Sequence, residues 1–246
     1  MNRHSAFAVA FAASATAVLG LVATPATGVT LQQLIDTGDS FIVGEKKFTF
    51  DRCDIVTGGA GLATPFSCND IEVTPIIGEH TGFRLQSIFG AINTSLIDVL
   101  VEYTLEGVNP GKLFSGAKLQ FNGDGNPDGG FITNVTEQFT DYLTGEVIGQ
   151  INVTNPPPVF VDEIAFVPPV SKLHISKDIG LAAFITPSQA NISFVDQTFK
   201  HVPVPEPGTV GGLLAISSIG IGAMLKRHRK QSNKLDFFST PDESDN

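Results

Sequence analysis

Ile97-Asp98-Val99-Leu100-Val101-Glu102-Tyr103-Thr104-Leu105-Glu106 alternates apolar and polar side chains, and only Leu100 breaks the polar set. Successive side chains of an extended chain point to opposite faces, so this stretch reads as a β-strand with one face buried and one in water. Weaker versions of the pattern occupy residues 113–121, 131–140, 146–153, 171–175 and 190–199, and residues 41–50 read as a first strand or a hairpin turning at Gly44-Glu45. Between them lie Asn109-Pro110-Gly111, residues 122–130, residues 155–158 and Pro187-Ser188, all turn-forming chemistry. Short strands at this spacing, with few helix signals, predict a mainly β fold, an antiparallel β-sandwich or jelly roll. A short helix precedes it: Thr30 can cap residues 31–37, Gly38 can end them, and Leu31, Leu34 and Ile35 share a face.

The two ends of the chain carry a different pattern. Residues 1–28 read as a secretory signal peptide: Arg3 and His4 are weakly basic, residues 6–23 are apolar, and Thr24-Pro25-Ala26 or Ala26-Thr27-Gly28 offers small residues for cleavage. An uncleaved N-terminal anchor is the alternative. Near the other end, Val204-Pro205-Glu206-Pro207 leads into the uncharged residues 208–225, close to the minimum of about 17 for a membrane-crossing helix. Lys226, Arg227, His228, Arg229 and Lys230 follow as a basic stop that stays on the cytoplasmic side. A core helix of a soluble domain is the alternative reading. Residues 29–203 are then exported as one domain, and residues 231–246 form a polar tail.

The order Val204-Pro205-Glu206-Pro207, short membrane segment, basic cluster resembles the PEP-CTERM sorting signal. That resemblance implies an exported bacterial protein recognised near the Pro-Glu-Pro by an exosortase, a membrane-embedded processing enzyme, and often associated with exopolysaccharide. The family usually ends at or just after the basic cluster; here the polar tail runs on, which leaves cleavage an open question. The Thr-Leu-Gln-Gln-Leu-Ile start at residue 30 and Ser-Phe-Val-Asp-Gln-Thr-Phe at 193–199 also resemble a recurrent exported type of this family, without implying an activity.

The exported region holds 20 acidic against 9 basic residues, a net −11 that disfavours nucleic acid as a partner. Its two cysteines, Cys53 and Cys68, are most simply one disulfide in an oxidising compartment. Asp124-Gly125-Asn126-Pro127-Asp128-Gly129 matches the opening of a calcium loop, with Asp124, Asn126 and Asp128 as oxygen ligands, but Val135 stands where the bidentate acid belongs and Glu137 lies two residues beyond. A polar hairpin loop explains the same residues. Calcium is the one cofactor suggested.

Catalytic motifs are absent: no G-x-S-x-G, H-E-x-x-H, Walker loop or G-x-G-x-x-G occurs. Ser115-Gly116-Ala117-Lys118 matches S-x-x-K by coincidence inside a strand pattern, and His80, His174 and His201 are scattered. Asn93, Asn134, Asn152 and Asn191 begin sequons that read as polar strand and loop positions. The expectation is a non-enzymatic surface or extracellular-matrix protein, structural or adhesive, in contact with polysaccharide. The alternatives are a secreted glycan hydrolase, whose paired acids leave no local signature on separate strands, and a permanently anchored single-pass protein.

Overall fold

The computed structural model describes residues 28–60, 66–109, 111–126 and 129–204. The signal peptide (save Gly28), Pro205, Glu206, Pro207, the apolar run, the basic stop, the polar tail and Asp128 lie outside these residues. No helix among the described residues is long and apolar enough to cross a membrane.

The strands run in chain order as β1 (Val29–Thr30), β2 (Ser40–Val43), β3 (Lys46–Gly59), β4 (Glu72–Ile76), β5 (Gly82–Ile92), β6 (Ser95–Gly107), β7 (Lys112–Phe121), β8 (Asp124–Gly125), β9 (Phe131–Asp141), β10 (Val147–Asn155), β11 (Val161–Val170), β12 (Lys172–Ala183) and β13 (Gln189–Pro203). They form two antiparallel sheets. A seven-stranded sheet has the order β1-β4-β5-β13-β7-β11 with β8 also on β13; a six-stranded sheet has the order β10-β9-β12-β6-β3-β2. The sheets face each other across one apolar core, so the expected β-sandwich is the architecture found.

The opening stretch sits where its pattern requires. Ile97, Val99, Val101, Tyr103 and Leu105 of β6 all point inward and are buried, while Asp98, Glu102 and Glu106 stay on the outer face. Phe83 of the opposite sheet meets Tyr103, Phe48 and Phe50 at 5.2, 5.1 and 5.3 Å between ring centroids. All three contacts are edge-on, as the ring quadrupoles favour. The helix α1 (Leu31–Thr37) is capped as expected: Thr30 Oγ1 accepts from Gln33 N at 3.2 Å, and Gly38 ends it at φ 66°. Leu31 and Leu34 are buried, and Ile35 packs against the core. The Gly44-Glu45 turn joins β2 and β3.

Other expectations need correction. Gly58 and Gly59 end β3, paired with Leu96 and Ser95. A Cβ on Gly59 would stand 2.0 Å from Thr94 O, so the hairpin needs glycine there. The segment 171–175 is only the first part of β12, which continues through Lys177 and Asp178 because β6 and β9 bond it on both sides. β5 escaped the pattern because Ser87 and Ile88 exchange polarity: Ile88 faces outward and is 85% exposed. β11 contains Pro168 and Pro169 and lies at the sheet edge, where missing N–H donors break no ladder on the solvent side. Cys53 on β3 and Cys68 in the 3-10 turn Cys68–Asp70 form the expected disulfide, tying the six-stranded sheet to the segment that enters β4.

Candidate functional site

Open chemistry concentrates on the outer face of the seven-stranded sheet. Register places Arg84 of β5 opposite Asp196 of β13, and the guanidinium donates from Nε to Oδ1 at 2.6 Å and from Nη2 to Oδ2 at 2.8 Å. The hydrogen bonds and charge of Asp196 raise the Arg84 pKa. The guanidinium also lies 4.2 Å from the centroid of Phe194. Phe194 faces out because β13 carries a bulge between Ile192 and Phe194, and Asn122 Oδ1 clamps that bulge by accepting from Ser193 N at 3.0 Å and Phe194 N at 2.9 Å.

Three shallow depressions mark this face. One of about 480 Å³ lies between Phe66, Glu72, Gln86 and Ile88. One of about 210 Å³ lies beside Lys118, Asp196 and His80. The third, of about 380 Å³, is walled by the rings of Phe160 and Phe194, with Gln120, Asn122 and Asp124 beside them. Phe160 is 43% exposed and stacks loosely on Phe121 at 5.9 Å. Two aromatic rings with amide and carboxylate groups around them suit a ligand that is apolar on its flat side and hydroxylated at its edge.

Asp124, the first of the calcium-type residues, borders this third depression. Asp124 belongs to β8 and pairs with Asn191, and its Oδ1 accepts from Gly125 N at 2.7 Å. Asn126 donates its backbone N–H to Gln189 O at 3.1 Å and accepts from Gly129 N at 3.0 Å. Among the described residues no three His, Cys, Asp or Glu side chains gather as a metal site. Glu137 does not serve this loop: it points into the core.

On the outer face of the six-stranded sheet, β6 and β12 bring together two acids that no local pattern announces. Asp98 pairs with Gly180, one step along from Asp178. Burial and the hydrogen-bonded Asp98 carboxyl raise Asp178 to about 6. Glycosidase carboxyls stand about 5 Å apart or more to admit the sugar or a water. Neither acid lines the depressions above.

Between the sheets lies a polar cluster that sequence reasoning missed. Lys177 of β12 donates to Glu137 Oε1 of β9 at 3.0 Å and to Gln197 Oε1 of β13 at 3.0 Å. Tyr103 of β6 donates its hydroxyl to Glu137 Oε1 at 2.6 Å. All four side chains are fully buried. Burial lowers the Lys177 pKa and raises that of Glu137, although each opposes the shift of the other. Glu137 Oε2 and Gln197 Nε2 have no partner. The only sequence signal was Lys177 and Gln197 at inward phases of strands, where an apolar residue belongs.

At one end of the sandwich, Glu45 pairs with Lys112, with His201 Nε2 at 3.6 Å from Glu45 Oε2. Lys46 is buried and donates to Thr81, and desolvation lowers it to about 8. Val204 donates its N–H to Gly111 O at 3.0 Å. The chain therefore leaves the sandwich at this tethered end.

No family model matches the chain, and no curated protein matches it. Among solved structures, the chain is similar to a Streptococcus pneumoniae structure of accessory secretory proteins 1, 2 and 3, at 7% identity and a TM-score of 0.30 over 58% of this chain and 94% of that one. It is also similar to a family 11 carbohydrate-binding module from Clostridium thermocellum in complex with a β-1,3-1,4-mixed-linked tetrasaccharide, at 9% identity and a TM-score of 0.25 over 64% and 96%. A third is endoglucanase 3 of family GH12 from Trichoderma harzianum, at 10% and 0.24 over 65% and 100%. Superpositions this loose bear on no activity.

Proposed function

We propose that this chain is an exported, non-enzymatic surface or matrix protein whose sandwich contacts polysaccharide through the outer face of its seven-stranded sheet. The observation that carries the reading is the depression of about 380 Å³ in which Phe160 and Phe194 stand beside Gln120 and Asp124. A pyranose ring laid against Phe160 would bury its apolar face there, and its hydroxyls would meet the amide and carboxylate. Delivery rests on residues 204–230, whose resemblance to a PEP-CTERM signal proposes an exosortase as the processing partner.

Calorimetric titration of the protein with host exopolysaccharide and with a panel of neutral and acidic glycans tests the contact. Loss of the ring in Phe160→Ala removes about 1–2 kcal/mol of apolar burial, a weakening of roughly 5- to 30-fold. Absence of binding across the panel, or equal affinity in the variant, sinks the glycan reading. Glycan turnover that disappears in Asp98→Asn or Asp178→Asn would replace it with a hydrolase. For delivery, a mature C-terminus near Pro207 in the native host supports processing, and residues 231–246 still attached refute it. Calcium at Asp124, Asn126 and Asp128 predicts a melting temperature that falls on chelation; an unchanged value removes that ion.

A further inference from the structure

The buried cluster carries reactive groups in contact, and all four side chains are 0% exposed. Lys177 Nζ stands 3.0 Å from Gln197 Oε1 and 3.0 Å from Glu137 Oε1. An amine, a carboxamide and a carboxyl thus meet within hydrogen-bond distance, held by strands of both sheets. Their surroundings are dry and rigid: Phe83 packs on Tyr103 at 5.2 Å, and Phe139 on Phe199 at 6.4 Å. Gly82 lets β5 approach β13 closely at this level, since a Cβ there would stand 1.8 Å from Gln197 O.

As an unreacted ion pair the cluster is poorly built. Two polar atoms are orphaned in the core, Glu137 Oε2 and Gln197 Nε2, and each unpaired buried group costs about 1–3 kcal/mol. A buried Lys–Glu pair also forfeits the solvation of both charges. A condensation would remove the buried ion pair and one of the two orphans, because it consumes the amine and discards Gln197 Nε2.

We propose that Lys177 and Gln197 become joined by an intramolecular isopeptide bond, formed by the folded protein itself with Glu137 as the acid–base catalyst. Proton transfer within the pair leaves a neutral Lys177 amine and a protonated Glu137, the direction in which burial drives both groups. Lys177 Nζ attacks Gln197 Cδ, forming the N–C bond. Glu137 accepts a proton from the attacking nitrogen and gives one to Nε2, the Cδ–Nε2 bond breaks, and ammonia leaves. Glu137 ends protonated, as it stood just before the attack, and no oxidant or cofactor is consumed. The Tyr103 hydroxyl, donating to Glu137 Oε1, positions the carboxyl.

The product is a covalent tie between the sheets, from β12 to β13, which are separated by 20 residues at the linked positions. β13 is the strand from which the chain leaves toward its C-terminal segment, so tension applied there would pass into the six-stranded sheet through a covalent bond. This inference stands independently of glycan contact.

Tryptic mapping of the full chain by tandem mass spectrometry tests it. Cleavage after Lys172, Lys177 and Lys200 turns an unlinked chain into the separate peptides 173–177 and 178–200. The linked chain resists cleavage at Lys177 and yields one peptide, 173–200, lighter by one ammonia and without backbone fragments between Lys177 and Gln197. Full-mass linear peptides from the folded wild-type protein overturn the proposal, and a missed cleavage at Lys177 is recognised by its full mass. Glu137→Gln, which keeps the shape of the side chain, is expected to give only linear peptides; a linked Glu137→Gln chain would refute the role assigned to Glu137. The wild-type measurement decides the bond itself, whether or not the variant folds.

Discussion

Replacing Asp178 by asparagine should stabilise the protein at neutral pH and not in acid. Asp178 and Asp98 meet on the outer face of β12 and β6, and the folded state holds Asp178 at about 6 against an ordinary 3.8. A folded pKa above the unfolded one means that the fold favours the protonated acid. Below pH 4 both states are protonated and Asp178 imposes no penalty. As pH rises through 6, the folded state must lose the proton against burial and the neighbouring carboxyl, and stability drops by an amount complete above pH 6. A shift of about two units sets a ceiling of roughly 3 kcal/mol. Asp178 is exposed, so solvent screening reduces this to about 1 kcal/mol. Urea denaturation of wild type and Asp178→Asn at pH 7.5 and pH 3.5 reads the difference directly. A gain of about 1 kcal/mol at pH 7.5 that fades at pH 3.5, and that shrinks in high salt, is expected. An equal gain at both pH values, or none at pH 7.5, refutes the raised pKa of Asp178.

Three further outcomes follow from the packing. Replacing Cys53 and Cys68 by alanine opens a loop of 15 residues and should cost about 3 kcal/mol by equilibrium denaturation, an effect that reductant on the wild type should match. Phe83→Ala removes a fully buried ring that touches Phe48, Phe50 and Tyr103, and should cost about 3–5 kcal/mol, read as a lower denaturation midpoint. Gly82→Ala should disrupt the pairing of β5 with β13 at Gln197, visible as faster amide exchange in both strands.

Much of the architecture was legible because period-two alternation is a local signal. β6 declared its buried face residue by residue, and Thr30 and Gly38 declared the ends of α1. The pattern failed where local polarity was inverted. Ser87-Ile88 hid β5, and Lys177-Asp178 cut the expected strand short at residue 175. In each case hydrogen bonds to neighbouring strands decided the conformation.

The candidate sites were less legible for the same physical reason. Phe160 and Phe194 meet only because a bulge turns β13 and a loop delivers Phe160, and Asp98 meets Asp178 only through the register of two strands far apart in the chain. The sequence by itself determined the class of fold, the helix and its caps and the Cys53–Cys68 pairing, all of which rest on composition, spacing or period. Only the tertiary structure decided that Tyr103, Glu137, Lys177 and Gln197 share one dry point between two sheets. Contacts between strands distant in sequence are set by register and sheet packing, and neither leaves a mark within any single stretch of residues.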